Sequence, residues 1–176
     1  MRDRIEIVSG DITKQQVDAI VNAANSSLTG GAGVDGAIHA AAGRELYEEC
    51  ITLGGCPTGE AKATKGYALA AKWVIHTVGP IWRDGKRGES EKLARCYQNS
   101  LKVAGTLHVK TIAFPCISTG AYGFPFDDAT RIALDETLKF LNTTESTIEK
   151  VTFVCFGQAA FATYQRLLAE RLMQVS

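Results

Sequence analysis

The chain has 176 residues, of which 45% are hydrophobic, so it can bury a full core and is expected to form one domain. Its 19 basic and 19 acidic residues cancel, which leaves no whole-chain field to draw it onto nucleic acid or an anionic membrane. The five cysteines form no C-x-x-C pair and no run reaches the roughly 18 apolar residues of a membrane span, so a disulfide framework, a zinc site and a membrane protein are all disfavoured.

Apolar runs and amphipathic segments alternate along the chain. The runs at residues 5–9, 19–23, 73–78, 111–117 and 151–156 predict strands buried on both faces. Helical spacing predicts helices at 34–42, at 90–107, after Asp127 and Asp128, and over a final segment that carries Phe161 and Leu172. This order indicates an α/β fold with helices on both faces of one sheet. Residues 83–90 are rich in charge and glycine, which predicts a mobile surface loop.

Polar and glycine-rich motifs follow several of the predicted strands. They lie at residues 10–13, 22–25, 79–80 and 118–123. In layered α/β sheets the binding crevice lies beyond the carboxyl ends of the strands. We therefore expect these loops to converge on one cleft.

The segment 30–36 holds four glycines and one acid, Asp35. Glycine loops direct backbone N–H groups at phosphate oxygens, and a helix that starts at Val34 would add its N-terminus to such a site. Residues 31–36 also match G-x-G-x-x-G, but no strand directly precedes them and no strand that ends in an acid follows about 20 residues later, so the motif is not a dinucleotide fingerprint. The alternative is that these glycines only form turns.

Asp35 is the candidate catalytic acid of this loop. A carboxylate beside a phosphate site could orient a sugar hydroxyl or an attacking water. The alternative is that it only complements the helix dipole from the first turn. His39 lies four residues later on the same helical face, although a single His there is more often structural. His76, in an apolar strand, is predicted to be a core residue, and His108 to lie at the surface.

Asparagines and a second loop complete the candidate site. Asn25 is predicted to bind a ligand through its amide, whereas we interpret Asn22 as a turn-forming residue. Pro115 interrupts its strand near the end, and Ser118, Thr119 and Gly120 then supply hydroxyl and glycine donors as a second candidate phosphate loop. Tyr122 and Phe124 are candidates to line the cleft, with ordinary packing as the alternative.

These motifs together resemble the macrodomain family, and within it the MacroD-type branch. The resemblance extends over nearly the whole chain, through six ordered motifs at residues 10–13, 22–25, 30–39, 56–61, 76–80 and 117–123. Within the branch the chain is most similar to the bacterial O-acetyl-ADP-ribose deacetylases. The resemblance implies a single macrodomain over residues 1–176, built as a three-layer α/β/α sandwich around a central mixed β-sheet.

The resemblance also implies how ADP-ribose and its esters would bind. Asp11 would accept a hydrogen bond from adenine, with the Ile12 backbone completing the base contact and Phe156 as a stacking surface. The diphosphate would lie between two loops, formed by Gly33, Val34 and Asp35 and by Ser118, Thr119, Gly120, Ala121 and Tyr122. Asn25 would hold the distal ribose beside Asp35 and Phe124. Ala32 departs from the branch, which usually has a further glycine there, but its methyl removes no functional group.

The expected function is hydrolysis of an acyl ester on the distal ribose, either of O-acetyl-ADP-ribose or of mono-ADP-ribose on an acidic protein side chain. Asp35 would activate or orient the water and Asn25 would fix the ribose hydroxyls, with no metal and no cofactor. The alternative is a non-catalytic module that only binds ADP-ribose, and an RNA-binding role has little support from the neutral charge. We expect mono-ADP-ribosylated proteins as partners and the cytoplasm as the location.

Overall fold

A computed structural model describes residues 1–175. Its strands are β1 (Ile5–Ser9), β2 (Ala19–Ala23), β3 (Ala61–Lys65), β4 (Trp73–Thr77), β5 (Thr111–Phe114) and β6 (Lys150–Cys155). Its α-helices are α1 (Gly33–Ala42), α2 (Arg44–Thr52), α3 (Glu89–Thr106), α4 (Phe126–Thr143) and α5 (Gln158–Val175), and short 3₁₀ turns lie at Arg2–Arg4 and Ile12–Lys14. None of these helices is both long and apolar enough to cross a membrane.

The strands form one mixed sheet in the order β1-β6-β5-β2-β4-β3. In this order the first five strands, β1, β6, β5, β2 and β4, are each parallel to their neighbours. The last strand, β3, lies at the edge and pairs antiparallel with β4. The carboxyl ends of the parallel strands therefore share one edge of the sheet, where the motif-bearing loops meet. The mixed sheet that the resemblance implied is confirmed.

Helices cover both faces of the sheet. On one face α1 and α2 bury side chains such as Ile38 and Leu46 against β2 and β4. On the other face α3, α4 and α5 close the larger core, in which Phe114 lies 5.1 Å from the ring of Tyr97 and 5.8 Å from the ring of Phe153. The result is the three-layer α/β/α sandwich that was expected.

The sequence patterns did not predict two elements, β3 and α2. The edge strand β3 has no continuous apolar run, because only Thr64 among its five residues is buried. The helix α2 buries only Leu46 and Cys50, so its apolar face is too narrow to stand out.

The strand predicted at 111–117 ends earlier, at Phe114, because Pro115 has no N–H to continue the ladder.

The segment 83–88 is not the mobile loop that its composition suggested. The buried carboxylate of Glu89 accepts hydrogen bonds from the backbone N–H groups of this segment: Arg83 at 3.0 Å, Asp84 at 3.2 Å, Gly85 at 3.0 Å and Arg87 at 2.6 Å. These bonds, the one from Arg83 foremost, lower the pKa of Glu89 to about 2. One acid therefore fixes the path of the whole loop.

Candidate functional site

A long cleft lies at the carboxyl edge of the sheet and has two compartments. The Asp35 compartment, of about 550 Å³, is lined by Asn25, by Asp35 and by the loop from Ser118 to Tyr122. The Asp11 compartment, of about 760 Å³, is lined by residues from Ser9 to Ile12 and by Gly157. The two compartments share Gly33, Val34, Pro115, Val154 and Phe156 as lining residues, so they form one elongated site.

The glycine loop leads directly into α1, as predicted. The helix begins at Gly33, and no side chain caps its N-terminus. Its first N–H groups therefore remain available to an anion in the cleft. The loop packs tightly on the helix, because a Cβ atom at Gly36 would overlap the carbonyl oxygen of Gly31. This close approach requires glycine at position 36.

Asp35 projects from the first turn of α1 into the cleft wall and is only 5% exposed. Its Oδ1 accepts a hydrogen bond of 2.8 Å from the side-chain amide of Asn22 and lies 3.5 Å from Nε2 of His39. Its Oδ2 lies 3.3 Å from the position that a Cβ atom would take on Gly31. The hydrogen bond from Asn22 thus fixes Oδ1, whereas Oδ2 lies next to the glycine loop.

Asn25, like Asp35, lies close to Gly31. Its Nδ2 is 3.6 Å from the same constructed Cβ position on Gly31 and donates a 2.7 Å hydrogen bond to the carbonyl oxygen of Gly30. Its Oδ1 accepts a hydrogen bond from Ser27 at 2.9 Å. The structure therefore brings Asn25 and Asp35 together at one end of the cleft, around a single glycine.

The second loop faces the glycine loop across the cleft. Ser118 adopts a left-handed backbone (φ 65°) and its hydroxyl donates to the carbonyl oxygen of Pro80 at 2.8 Å, so this hydroxyl braces the loop. Thr119 likewise donates its hydroxyl to the carbonyl oxygen of Cys116 at 3.2 Å. Within residues 1–175, the backbone N–H groups from Thr119 to Tyr122 have no hydrogen-bond partner. The loop can therefore offer amides, rather than hydroxyls, to a phosphate.

Phe124 does not lie where it was predicted. Its ring is 3% exposed and packs against Trp82, with the ring centroids 4.8 Å apart, and it lines neither compartment. The backbone N–H of Trp82 also donates to the carbonyl oxygen of Tyr122 at 2.8 Å. Phe124 is thus a core residue beneath the second loop, which it supports through Trp82, whereas Tyr122 lines the cleft as expected.

The Asp11 compartment carries the residues expected at its far end. Asp11 is exposed, and its Oδ1 accepts hydrogen bonds from the hydroxyl of Thr13 at 2.7 Å and from the backbone N–H of Thr13 at 2.9 Å. These bonds lower the pKa of Asp11, which keeps it a charged acceptor. Ile12 is buried in the same wall. Phe156 is 94% exposed at the junction of the two compartments, so the face of its ring is accessible to an aromatic base of the ligand.

The fold, the six motifs and the cleft can be compared with known proteins. The family model of the Macro domain matches residues 21–133, which is more than half of the chain. The chain belongs to the macrodomain family. This macrodomain is 56% identical over 170 residues to a macro domain-containing protein of Methanosarcina mazei, covering 97% of the chain and 90% of that relative.

Two further relatives carry names that bear on the cleft. The macrodomain is 50% identical over 169 residues to the ADP-ribose glycohydrolase MACROD2 of Xenopus laevis, covering 96% of the chain and 40% of that protein. A solved structure of the Trypanosoma brucei macrodomain in complex with ADP-ribose is 46% identical and superimposes with a TM-score of 0.87, covering 93% of this chain and 68% of that chain.

Asn22 contacts Asp35, which the sequence did not predict. We predicted a turn, but Asn22 lies inside β2, is fully buried and bonds the catalytic candidate Asp35. The same amide lies 3.1 Å from Nδ1 of His76. The only available signal was its place in the apolar run 19–23, because a polar residue in a buried strand needs a buried partner.

His76 and His108 lie where they were predicted, in the core and at the surface. His76 is a core residue, and burial lowers its pKa to about 3, with a smaller contribution from His39. His108 is exposed. Across the part of the chain that the structure describes, no group of His, Cys, Asp and Glu side chains could hold a metal ion.

Proposed function

We propose that this macrodomain binds ADP-ribose along the cleft. Adenine would occupy the Asp11 compartment, with Phe156 beside it, and the distal ribose would lie between Asn25 and Asp35. The diphosphate would sit between the N-terminus of α1 and the amides of Thr119 to Tyr122. The Trypanosoma brucei macrodomain, solved in complex with ADP-ribose, supports ADP-ribose as the ligand.

We further propose that the macrodomain is a hydrolase that removes acyl groups from the distal ribose. Water would form a bond to the ester carbonyl carbon, the bond between that carbon and the ribose oxygen would break, and the ribose oxygen would take up a proton. Asp35 would orient the water or accept its proton, and Asn25 would hold the ribose hydroxyls. The glycohydrolase name of the Xenopus laevis relative supports a hydrolytic role.

One observation carries the hydrolytic proposal. Asp35 is a nearly buried carboxylate in the cleft wall, with one oxygen fixed by Asn22 and the other directed at Gly31, next to the amide of Asn25. A module that only bound ADP-ribose would need the phosphate loops but not an acid beside them, where it repels the ligand's own negative charge. The acid therefore indicates chemistry at the ribose.

The test is acetate release from O-acetyl-ADP-ribose by the wild-type protein and by Asp35→Ala. A positioned acid or base contributes about 100- to 10,000-fold in rate, so kcat should fall by that amount in Asp35→Ala. Asp128→Ala is the matched control, because Asp128 is also in the first turn of a helix but is exposed. Tight binding of ADP-ribose without acetate release by the wild-type protein would contradict the hydrolase and favour the binding module.

The substrate class can be settled with a panel of linkages. We propose that esters are the substrates, both free O-acetyl-ADP-ribose and ADP-ribose on acidic protein side chains, since both present an acyl group on the same sugar. Release from Glu-linked but not from Ser-linked or Arg-linked ADP-ribosyl proteins is the expected pattern. Equal release from all three linkages would contradict the ester mechanism.

A further inference from the structure

A chain of buried hydrogen bonds runs from the edge strand of the sheet to Asp35. Asn22 in β2 is the register partner of His76 in β4, and both side chains are fully buried. Nε2 of His76 lies 2.9 Å from the hydroxyl of Thr64, which is buried in β3. Three neighbouring strands thus contribute one side chain each, and the chain ends on Oδ1 of Asp35.

The carboxylate end of this chain gives one consistent set of hydrogen-bond directions. A carboxylate only accepts, so Asn22 turns its NH₂ group to Asp35, and the second hydrogen of that group serves Nδ1 of His76. The neutral ring of His76 then carries its proton on Nε2, which has the hydroxyl of Thr64 at 2.9 Å and Sγ of Cys50 at 3.7 Å as acceptors. The hydroxyl of Thr64 in turn donates to the carbonyl oxygen of Lys65 at 3.1 Å.

Stability alone gives little reason for this arrangement. With its NH₂ group directed at His76 and Asp35, the Oδ1 atom of Asn22 is buried without a hydrogen-bond partner among the described residues. An unpaired buried oxygen costs free energy, and apolar residues of similar shape often replace such groups at no loss of stability. Neither Asn22 nor His76 lines the cleft. A residue that is costly to bury and touches no ligand indicates a function exerted through its neighbour.

We propose that Asn22 is a positioning residue for Asp35, and that His76 and Thr64 hold its amide in the orientation that this requires. The inference rests on the proposed function, in which Asp35 acts on the water. The hydrogen bond from Asn22 to Oδ1 stops the carboxylate of Asp35 from rotating about its terminal bond, and it leaves Oδ2 directed toward the cleft. Asn22 and its two supports thereby act on catalysis and not on ligand binding.

The first test is Asn22→Ala, measured by kcat, by the Kd for ADP-ribose and by thermal unfolding. Because the amide donates to a charged group and the cleft lining is untouched, kcat should fall about 10- to 100-fold, while Kd stays within about threefold of the wild-type value. Wild-type kcat in a folded Asn22→Ala protein overturns the inference. A parallel loss of kcat and of ADP-ribose affinity also overturns it, because it indicates a structural role only.

A second pair of variants tests the support without changing the volume at Asn22. Thr64→Val keeps the shape of the side chain but removes the nearer acceptor of Nε2 of His76 and leaves only Sγ of Cys50, at 3.7 Å, whereas Thr64→Ser keeps the hydroxyl. We expect Thr64→Val to lose several-fold in kcat and Thr64→Ser to restore it. Thr137→Val is the matched control, because Thr137 is equally buried, in α4, away from the cleft, and should keep wild-type kcat. Equal kcat in Thr64→Val and Thr64→Ser overturns the role of His76 and Thr64.

The same assays separate the inference from the proposed function. Absence of turnover by the wild-type protein means that the proposed function is wrong. Turnover that is abolished in Asp35→Ala but unchanged in Asn22→Ala and Thr64→Val means that the function is right and the positioning role is wrong.

Discussion

Replacing Gly36 with alanine should push the glycine loop away from α1 and disable the site. The added Cβ atom would overlap the carbonyl oxygen of Gly31 and lie 3.3 Å from its carbonyl carbon. Cβ atoms essentially never approach within 3.0 Å of such neighbours, and the atom in the way belongs to the backbone. The loop must therefore move, by a distance on the order of 1 Å, a misplacement that can cost about 100-fold in rate.

That displacement acts on both members of the proposed catalytic pair. Asn25 donates a hydrogen bond to the carbonyl oxygen of Gly30 in this loop, and both Nδ2 of Asn25 and Oδ2 of Asp35 lie close to the Cβ position of Gly31. We therefore expect kcat/KM for O-acetyl-ADP-ribose to fall about 100-fold in Gly36→Ala. Steady-state kinetics measure this loss, and calorimetric titration with ADP-ribose measures the accompanying rise in Kd.

Gly105→Ala is the matched control, a glycine in α3 whose added Cβ atom would meet nothing within 4 Å. Alanine is favoured over glycine inside a helix by roughly 0.5 to 1 kcal/mol, so Gly105→Ala should unfold at a temperature about 1 to 4 °C higher, with unchanged kcat/KM. Wild-type kcat/KM in Gly36→Ala would refute the reasoning. An equal loss of kcat/KM in Gly105→Ala would refute it as well.

Three further variants test the loop, the core and the cleft. Backbone hydrogen bonds, that from Arg83 foremost, lower the pKa of Glu89 from 4.5 to about 2. The wild-type protein should therefore be more stable than Glu89→Gln, by the full amount above pH 4.5, and this difference in stability should vanish as the pH falls through 2. The urea concentrations at the unfolding midpoints of the two proteins should therefore converge near pH 2, and a difference that persists there contradicts the stabilising role of the Glu89 carboxylate. Phe114→Ala should lower the free energy of unfolding by about 3 to 5 kcal/mol, because the ring is fully buried between Tyr97 and Phe153; a loss below about 1 kcal/mol in chemical denaturation would contradict this packing. Phe156→Ala should leave the unfolding temperature unchanged, since the ring is exposed, but should weaken ADP-ribose binding by about 1 to 3 kcal/mol in calorimetry; unchanged affinity would place adenine elsewhere.

The sequence predicted the parts of the fold that have strong apolar patterns. The strands β2, β4, β5 and β6 stand out because each is a nearly continuous buried run, and α3 and α4 stand out because each buries a wide face. The prediction that β1 is buried on both faces is wrong, because β1 lies at the sheet edge and only Ile5 among its five residues is buried. The helix α2 exposes most of its residues and β3 buries only Thr64, so their patterns are weak. The segment 83–90 looked mobile because composition does not show that its own acid, Glu89, accepts hydrogen bonds from four of its backbone N–H groups.

Side-chain partnerships were predicted less well than loop positions. The sequence placed Asn25, Asp35 and the loop from Ser118 to Tyr122 at one cleft, because loops after parallel strands share an edge of the sheet. It could not show that the ring of Phe124 turns inward onto Trp82, because a loop aromatic has no periodicity to reveal its direction. It also could not show the bond from Asn22 to Asp35, which joins a strand to a helix and depends on the register of β2 against β4.

The position of Gly31 explains why an acid and a glycine loop occur together in this site. A side chain at position 31 would start 3.3 Å from Oδ2 of Asp35 and 3.6 Å from Nδ2 of Asn25. It would therefore fill the space between the acid and the amide, where the proposed reaction needs the ribose and the water. In a dinucleotide fingerprint glycines let the backbone approach phosphate. In the proposed reaction the absence of a side chain at Gly31 would leave Asp35 and Asn25 accessible to one substrate, so the motif at 31–36 would serve the reacting sugar as well as the diphosphate.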